Sequence, residues 1–139
     1  MIRFFVGGIP KSMRVSGVAR FQRAGKVHMV PKRGHSDWAT LVGQIGRQHA
    51  PETPLEGPVA FAARFFLPRP KSAPKKVTMP LTRPDIDNLV SKLTDQFNGV
   101  FYRDDAQIVR FACSKAFAAD GKPGVEITVV AVTGMPDGD

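Results

Sequence analysis

Five of the chain's twelve acidic residues fall within one short stretch, RPDIDNLVSKLTDQFNGVFYRDDAQ, at residues 83–107. Asp85 and Asp87 open it, Asp95 lies in its middle, and Asp104 and Asp105 stand side by side near its end. Carboxylates drawn together repel, and their pKa values separate unless a divalent cation neutralises them. All-oxygen donors suit Mg²⁺, with Mn²⁺ as a substitute, whereas Zn²⁺ would want His or Cys. The three histidines, His28, His35 and His49, show no tight metal-ligand spacing and read as surface or packing residues. A carboxylate-bound Mg²⁺ beside a basic surface is an arrangement for cutting a phosphodiester, because the ion activates water and stabilises the attacking and leaving oxygens. Taken singly, each motif has a bland reading: Asp87 as a helix cap, Asp85 as a turn residue, YRDDAQ as a solvated turn. Together, in a chain of formal net charge +8, they read as two halves of one cation site, Asp85 and Asp87 before a helix and Asp104 and Asp105 after it. Asp95 lies near the Asp87 face of that helix, and is otherwise exposed or paired with Lys92 or Arg103.

These residues need particular elements to position them. Within a helix Asp85 and Asp87 would point about 200° apart, and within a strand about 180° apart. They converge only where the chain turns, which Pro84 and a helix start near Asp87 supply. Free N–H groups and the helix dipole at that start help hold carboxylates ionised. Asp87 or Asn88 is expected to cap a helix over roughly Leu89 to Asn98, with Leu89, Val90, Leu93 and Phe97 as its apolar stripe and Asn98-Gly99 as its stop. A strand from about Gln107 to Ala118 then returns the chain, so that both acidic motifs can reach one end of a sheet.

The remaining elements follow from local pattern. Ile2 to Val6 is a short apolar run ended by Gly7-Gly8 and Pro10, a strand signal. KSMRVSGVARFQRAGKVHMVPKRG at 11–34 is basic and glycine-containing, a loop or hairpin with a short strand at Lys26 to Val30. Ser36 or Asp37 caps a helix running to about His49, with Trp38, Leu41, Val42, Ile45 and Gln48 at helical spacing. Residues 57–67, GPVAFAARFFL, suit a central strand. Five prolines and five Lys or Arg in PRPKSAPKKVTMPLTRP, 68–84, make a loop, either a solvated connector or a basic flap over a phosphate backbone. A last strand at about Val125 to Thr133 follows the Asp120-Gly121 connection. The expected fold is α+β: one domain over 1–134, one mixed β-sheet with two main helices, and a flexible tail at 135–139.

Charge divides the chain. Residues 1–84 carry 15 Lys and Arg against 3 Asp and Glu, a balance of +12, and residues 85–139 carry 5 against 9, a balance of −4. A basic body favours a polyanion, nucleic acid above all, over a surface kept basic for solubility. The candidate DNA-binding residues are Lys11, Arg14, Arg20, Arg23, Lys32, Arg33, Arg69, Lys71, Lys75, Lys76 and Arg83. No apolar run is long enough to span a bilayer, and MIRFFVGGIPKSMR lacks the features of a signal peptide. No basic amphipathic helix suggests a membrane surface. Cys113, the one cysteine, can form no internal disulfide and suits a reducing cytoplasm, as a small packed side chain more readily than as a catalytic thiol.

At these residues the sequence resembles the RusA family of crossover junction endodeoxyribonucleases, the Holliday junction resolvases common in phages and prophages. The family pattern is Asp-x-Asp-Asn-Leu before a helix bearing an aspartate, then Asp-Asp-x-Gln-[Ile/Val]. Asp85, Asp87, Asn88 and Leu89 match the first part, Asp95 the helix aspartate, and Asp104, Asp105, Gln107 and Ile108 the last. GGIPKSMR and PLEGPVAFAARFFLPRPKS extend the likeness more weakly over most of the chain. The resemblance implies a cytoplasmic homodimer that binds branched DNA, the four-way junction, by shape and makes two symmetric nicks with Mg²⁺, without a small-molecule cofactor. It maps the essential acids to Asp85, Asp87 and Asp105. Where the family commonly carries a catalytic lysine, four residues after the second motif aspartate, this chain has Ser91. Lys92 is its neighbour, about 100° further around a helix. Lys92, Lys76 or Arg83 are the candidates to supply that charge. Two other functions stay in play: a nucleic-acid-binding protein without catalysis, and a metal nuclease acting on flaps, forks or RNA.

Overall fold

A strand as apolar on alternate positions as VAFAARFFL needs a partner on each side and a layer over one face. The computed structural model supplies both. It describes residues 1–13, 18–31 and 37–132, with the side chains of 18–23 and 27–31 outside the description. β4 (Val59–Leu67) is an inner strand of a four-stranded mixed sheet of order β1-β6-β4-β5. β1 (Ile2–Gly7) pairs antiparallel with β6 (Gly124–Ala131), and β6 pairs antiparallel with β4. β5 (Ile108–Phe117) lies parallel to β4 at the sheet edge. Val59, Phe61, Ala63, Phe65 and Leu67 of β4 are buried on one face, matching Val125, Ile127 and Val129 of β6.

A parallel pair requires a long crossover. Residues 68–107 are that crossover, and they hold all the carboxylates of the candidate metal site together with Lys92. Its first part is the proline-rich loop. Its second is α2 (Ile86–Val90), followed by 3₁₀ turns at Asp95–Phe97 and Asp105–Gln107. Leu89, Leu93, Phe97, Phe101 and Tyr102 of the crossover are fully buried against the sheet. α1 (Asp37–Arg47) covers the same layer, with Asp37 in its first turn and Arg47 in its last, each complementing the helix dipole. Trp38, Ala39, Val42, Gly43 and Gly46 form its buried face. Gly46 is needed there: a Cβ at that position would run into the Phe97 ring and lie 3.2 Å from that of Phe4. The glycine lets helix, β1 and crossover meet, and Phe4, Phe97 and Phe101 pack together at this junction.

The expected α+β domain, with one mixed sheet and two main helices, is the observed fold. The basic segment forms a hairpin, β2 (Val18–Arg23) with β3 (Lys26–Pro31). Ala24 and Gly25 at its tip both have positive φ (53° and 75°), as a two-residue turn of this hand requires. The tail expected at 135–139 lies outside the described residues.

The second helix differs in extent. The expected span is Leu89 to Asn98, capped by Asp87 or Asn88; α2 instead starts at Ile86, with Asp85 at the N-cap, and ends at Val90. Ser91 leaves the helical region and Lys92 turns to φ 62°. Leu89, Leu93 and Phe97 still face the core, so the apolar stripe survives although the helix does not. Beyond the break the chain runs in tight turns, and there the Tyr102 hydroxyl donates to the Thr94 carbonyl at 2.6 Å. A continuing helix would give that carbonyl to the Asn98 amide, which bonds Asp95 O instead.

Candidate active site

Gln107 fixes the second acidic motif in place. Its Oε1 accepts from the Arg103 and Asp104 amides at 2.8 and 3.1 Å. Its Nε2 donates to Leu55 O and Gly57 O at 2.9 and 3.0 Å. All four hydrogen-bonding places of the side-chain amide are filled, so the YRDDAQ turn is tied to the segment leading into β4. Asp104 is the N-cap of this turn, its Oδ1 accepting from the Ala106 amide at 2.8 Å in a reciprocal capping box with Gln107. Asp105 is placed differently. Its amide donates to Asn98 Oδ1 at 2.8 Å, and its Oδ2 has only a long 3.5 Å contact with Thr94 Oγ1. The turn thus occupies one carboxylate of the pair and presents the other, half-buried, between Thr94 and Asn98.

Tyr102 lies beneath this group. Burial, then the charges of Asp105 and Asp95, push its phenol well above the ordinary range. It stays a neutral donor to Thr94 O, and two carboxylates are close enough to act on one hydroxyl. Asp95 is exposed. Arg103 does not pair with it, because its guanidinium meets Glu56 at 2.8 Å on the surface.

The first motif begins at α2. Asp85 is its N-cap by backbone: the Asn88 and Leu89 amides both donate to Asp85 O at 3.1 Å. The Asp85 side chain makes no capping hydrogen bond, and both it and Asp87 are exposed. Asn88 O accepts from the Met13 amide at 3.2 Å, which ties the segment after β1 to the same helix. Two hydrogen bonds from Lys115, on β5, hold the turn immediately before Asp85. Sequence reasoning missed this lysine. Its signal was present, a charged residue at a core-facing position of the apolar strand IVRFACSKAF.

Among the described residues, no three His, Cys, Asp or Glu side chains converge closely enough to hold a metal by themselves. The structure brings Asp95 and Asp105 around Tyr102 and sets Asp85 and Asp87 at the α2 start. The donor set nevertheless fits Mg²⁺, which keeps several waters and is usually held by one or two carboxylates together with substrate phosphates. Lys92 is exposed at the helix break.

Of the candidate DNA-binding residues, Lys11, Lys71, Lys75, Lys76 and Arg83 are exposed. Arg69 is occupied within the loop, donating to Val77 O at 2.6 Å and Pro74 O at 2.7 Å while stacking 5.1 Å from the Phe117 ring centroid. It shapes the proline-rich segment that carries the exposed lysines. Arg20 and Arg23 belong to β2, with side chains outside the description; Arg14, Lys32 and Arg33 lie outside the described residues altogether. His49 stacks on Phe4 at 5.1 Å, while the side chains of His28 and His35 are outside the description. Cys113 is a free, half-buried thiol. No helix of the described residues is long and apolar enough to cross a membrane.

Residues 10–130 match the family described as Endodeoxyribonuclease RusA, and the chain belongs to that family. Membership supports a nuclease of the Holliday junction resolvase type, acting on branched DNA. One relative, Uncharacterized protein YqaN of Bacillus subtilis (strain 168), is 34% identical over 117 residues, which takes in 77% of this chain and 81% of the relative.

Proposed function

We propose that the protein is a Mg²⁺-dependent, structure-selective endonuclease that resolves four-way DNA junctions as a homodimer, by two symmetric nicks. The observation that carries this reading is the unequal treatment of the acids. Asp104 is consumed as a cap, whereas the carboxylates of Asp85, Asp87 and Asp105 are left without such a bond in a family of nucleases. Those three would hold the ion, with Asp104 as their neighbour. When bound, the ion would supply an activated water and charge stabilisation at the phosphate. The chain's own residues do the rest. Thr94 and Asn98 orient Asp105, Gln107 fixes the turn that carries it, and Lys71, Lys75, Lys76 and Arg83 hold the phosphate backbone. Lys92 is the basic residue nearest in sequence to the place of the family's lysine.

A synthetic four-way junction tests this directly. The wild-type protein should nick it with Mg²⁺ or Mn²⁺ but not in EDTA, and should bind it in both conditions. Asp85→Asn and Asp105→Asn should lose nicking by two orders of magnitude or more (roughly the loss of a principal catalytic group) while retaining binding. Undiminished nicking by either variant would sink the assignment. Junction binding by the wild type with no nicking under any divalent cation would favour the reading as a binder without catalysis, the alternative to which Ser91 at the lysine position points.

A further inference from the structure

Lys115 stands on the core-facing side of β5. In the parallel register it lies opposite Phe65, as Phe111 lies opposite Phe61 and Phe117 opposite Leu67. Phe61, Phe65 and Leu67 are core residues. Lys115 is half-buried at this edge strand, and its ammonium has three hydrogens to be satisfied. Here two of them are, since Nζ donates to Thr82 O at 2.9 Å and to Pro84 O at 3.1 Å. These are the carbonyls on either side of Arg83, so one charge staples the end of the proline-rich loop to the sheet. An apolar side chain there would leave this staple unmade.

The next residue is Asp85. Its carbonyl receives the first amides of α2, and its carboxylate makes no capping bond. Leu89 and the Met13 bond hold the body of α2, and the 82–84 turn sets how the chain enters it, and so where the carboxylates of Asp85 and Asp87 stand. Arg69 folds the earlier part of the loop on itself, and its bonds end at Val77. Nearer to Asp85, the staple from Lys115 is what ties the loop end to the sheet.

We propose that Lys115 is a positioning residue, which sets the cation-binding geometry of Asp85 and Asp87 by anchoring the turn before them to β5. The proposal rests on the nuclease reading for its purpose, but its test does not depend on activity alone. Lys115→Met keeps the aliphatic stem and removes the donors; Lys115→Arg keeps charge and donors.

In Lys115→Met, amides of residues 82–90 should exchange with solvent faster, while those of β4 and β6 exchange as in the wild type. Mn²⁺ binding, measured by calorimetry on the full chain, should weaken roughly 10- to 100-fold, the usual effect of removing a residue that orients ligands. Removing a nearby positive charge would by itself tighten cation binding, so weakening identifies a positioning role and not a charge effect. Nicking of the four-way junction should fall in step, junction binding in EDTA should be unchanged, and Lys115→Arg should restore exchange, Mn²⁺ affinity and nicking. Unchanged Mn²⁺ affinity with unchanged exchange at 82–90 would overturn the proposal. A wild type that nicks no junction would instead refute the nuclease reading, while the exchange and Mn²⁺ measurements still decide the role of Lys115. If Lys115→Met does not fold, Lys115→Gln is read in the same way.

Discussion

The hydroxyl of Tyr102 joins the acidic residues to the backbone that carries them. It donates to Thr94 O, and its phenol feels Asp105 and Asp95. Burial and these two charges all disfavour the phenolate, so the folded-state pKa is raised above the unfolded value near 10. The consequence for stability has a definite sign. Below about pH 10 both states hold the proton, and Tyr102 contributes no pH dependence. Above it the unfolded chain ionises first, so stability falls as pH rises toward the folded-state pKa. Tyr102 is the chain's one tyrosine, which makes the measurement unambiguous. In an alkaline titration, tyrosinate absorbance should appear only as the protein unfolds. Tyr102→Phe should flatten the decline in stability between about pH 10 and 11 while costing about 1 kcal/mol at neutral pH, the worth of one hydrogen bond. Tyrosinate absorbance in a protein still folded near pH 10 would contradict this account.

Among the elements, those built on simple periodicity were legible in the sequence. The period-2 pattern of VAFAARFFL marks an inner strand, and Trp38, Val42 and Ile45 mark α1. The crossover was legible in content but not in form. Leu89, Leu93 and Phe97 have helical spacing and share the core, yet the backbone between them turns left-handed at Lys92. The tight turns after the break are tied by the Tyr102 bond to Thr94, a contact between residues eight apart that no helix pattern encodes. The same limit hid Lys115, whose partners are more than thirty residues away. The acidic motifs were legible as motifs, whereas their separation into a cap, Asp104, and a presented carboxylate, Asp105, was set by Ala106, Asn98 and Gln107. The break itself is testable. A lysine at φ 62° is strained relative to glycine, so Lys92→Gly should raise stability by up to about 1 kcal/mol in chemical denaturation. If Lys92 acts on the scissile phosphate, the same variant loses nicking despite its gain in stability. Full nicking by Lys92→Gly would remove Lys92 from the site and leave Lys76 or Arg83 to supply the charge.

Across the whole molecule, the crossover sets opposite charges close together in sequence. The loop before α2 carries Lys71, Lys75, Lys76 and Arg83, all exposed, and the acids begin two residues after Arg83. A polyanion drawn to the lysines is thereby brought toward carboxylates that would repel it, unless a cation lies between them. Binding and cutting should therefore separate by mutation. Arg69 holds the loop in shape through Pro74 O and Val77 O, so replacing the lysines between those anchors need not disturb the fold. Lys75→Gln with Lys76→Gln should weaken junction binding and reduce the dependence of log affinity on log salt by about 2, one for each phosphate that the variant no longer neutralises. Nicking at saturating junction should stay near the wild-type rate where Lys92 or Arg83 supplies the catalytic charge, since neither lysine orients Asp85, Asp87 or Asp105; a fall in that rate would assign the charge to Lys76. Titrations across a range of salt concentrations, with nicking measured under single-turnover conditions, check both halves. An unchanged salt slope would show that the proline-rich loop is a solvated connector and that DNA is held elsewhere on the chain.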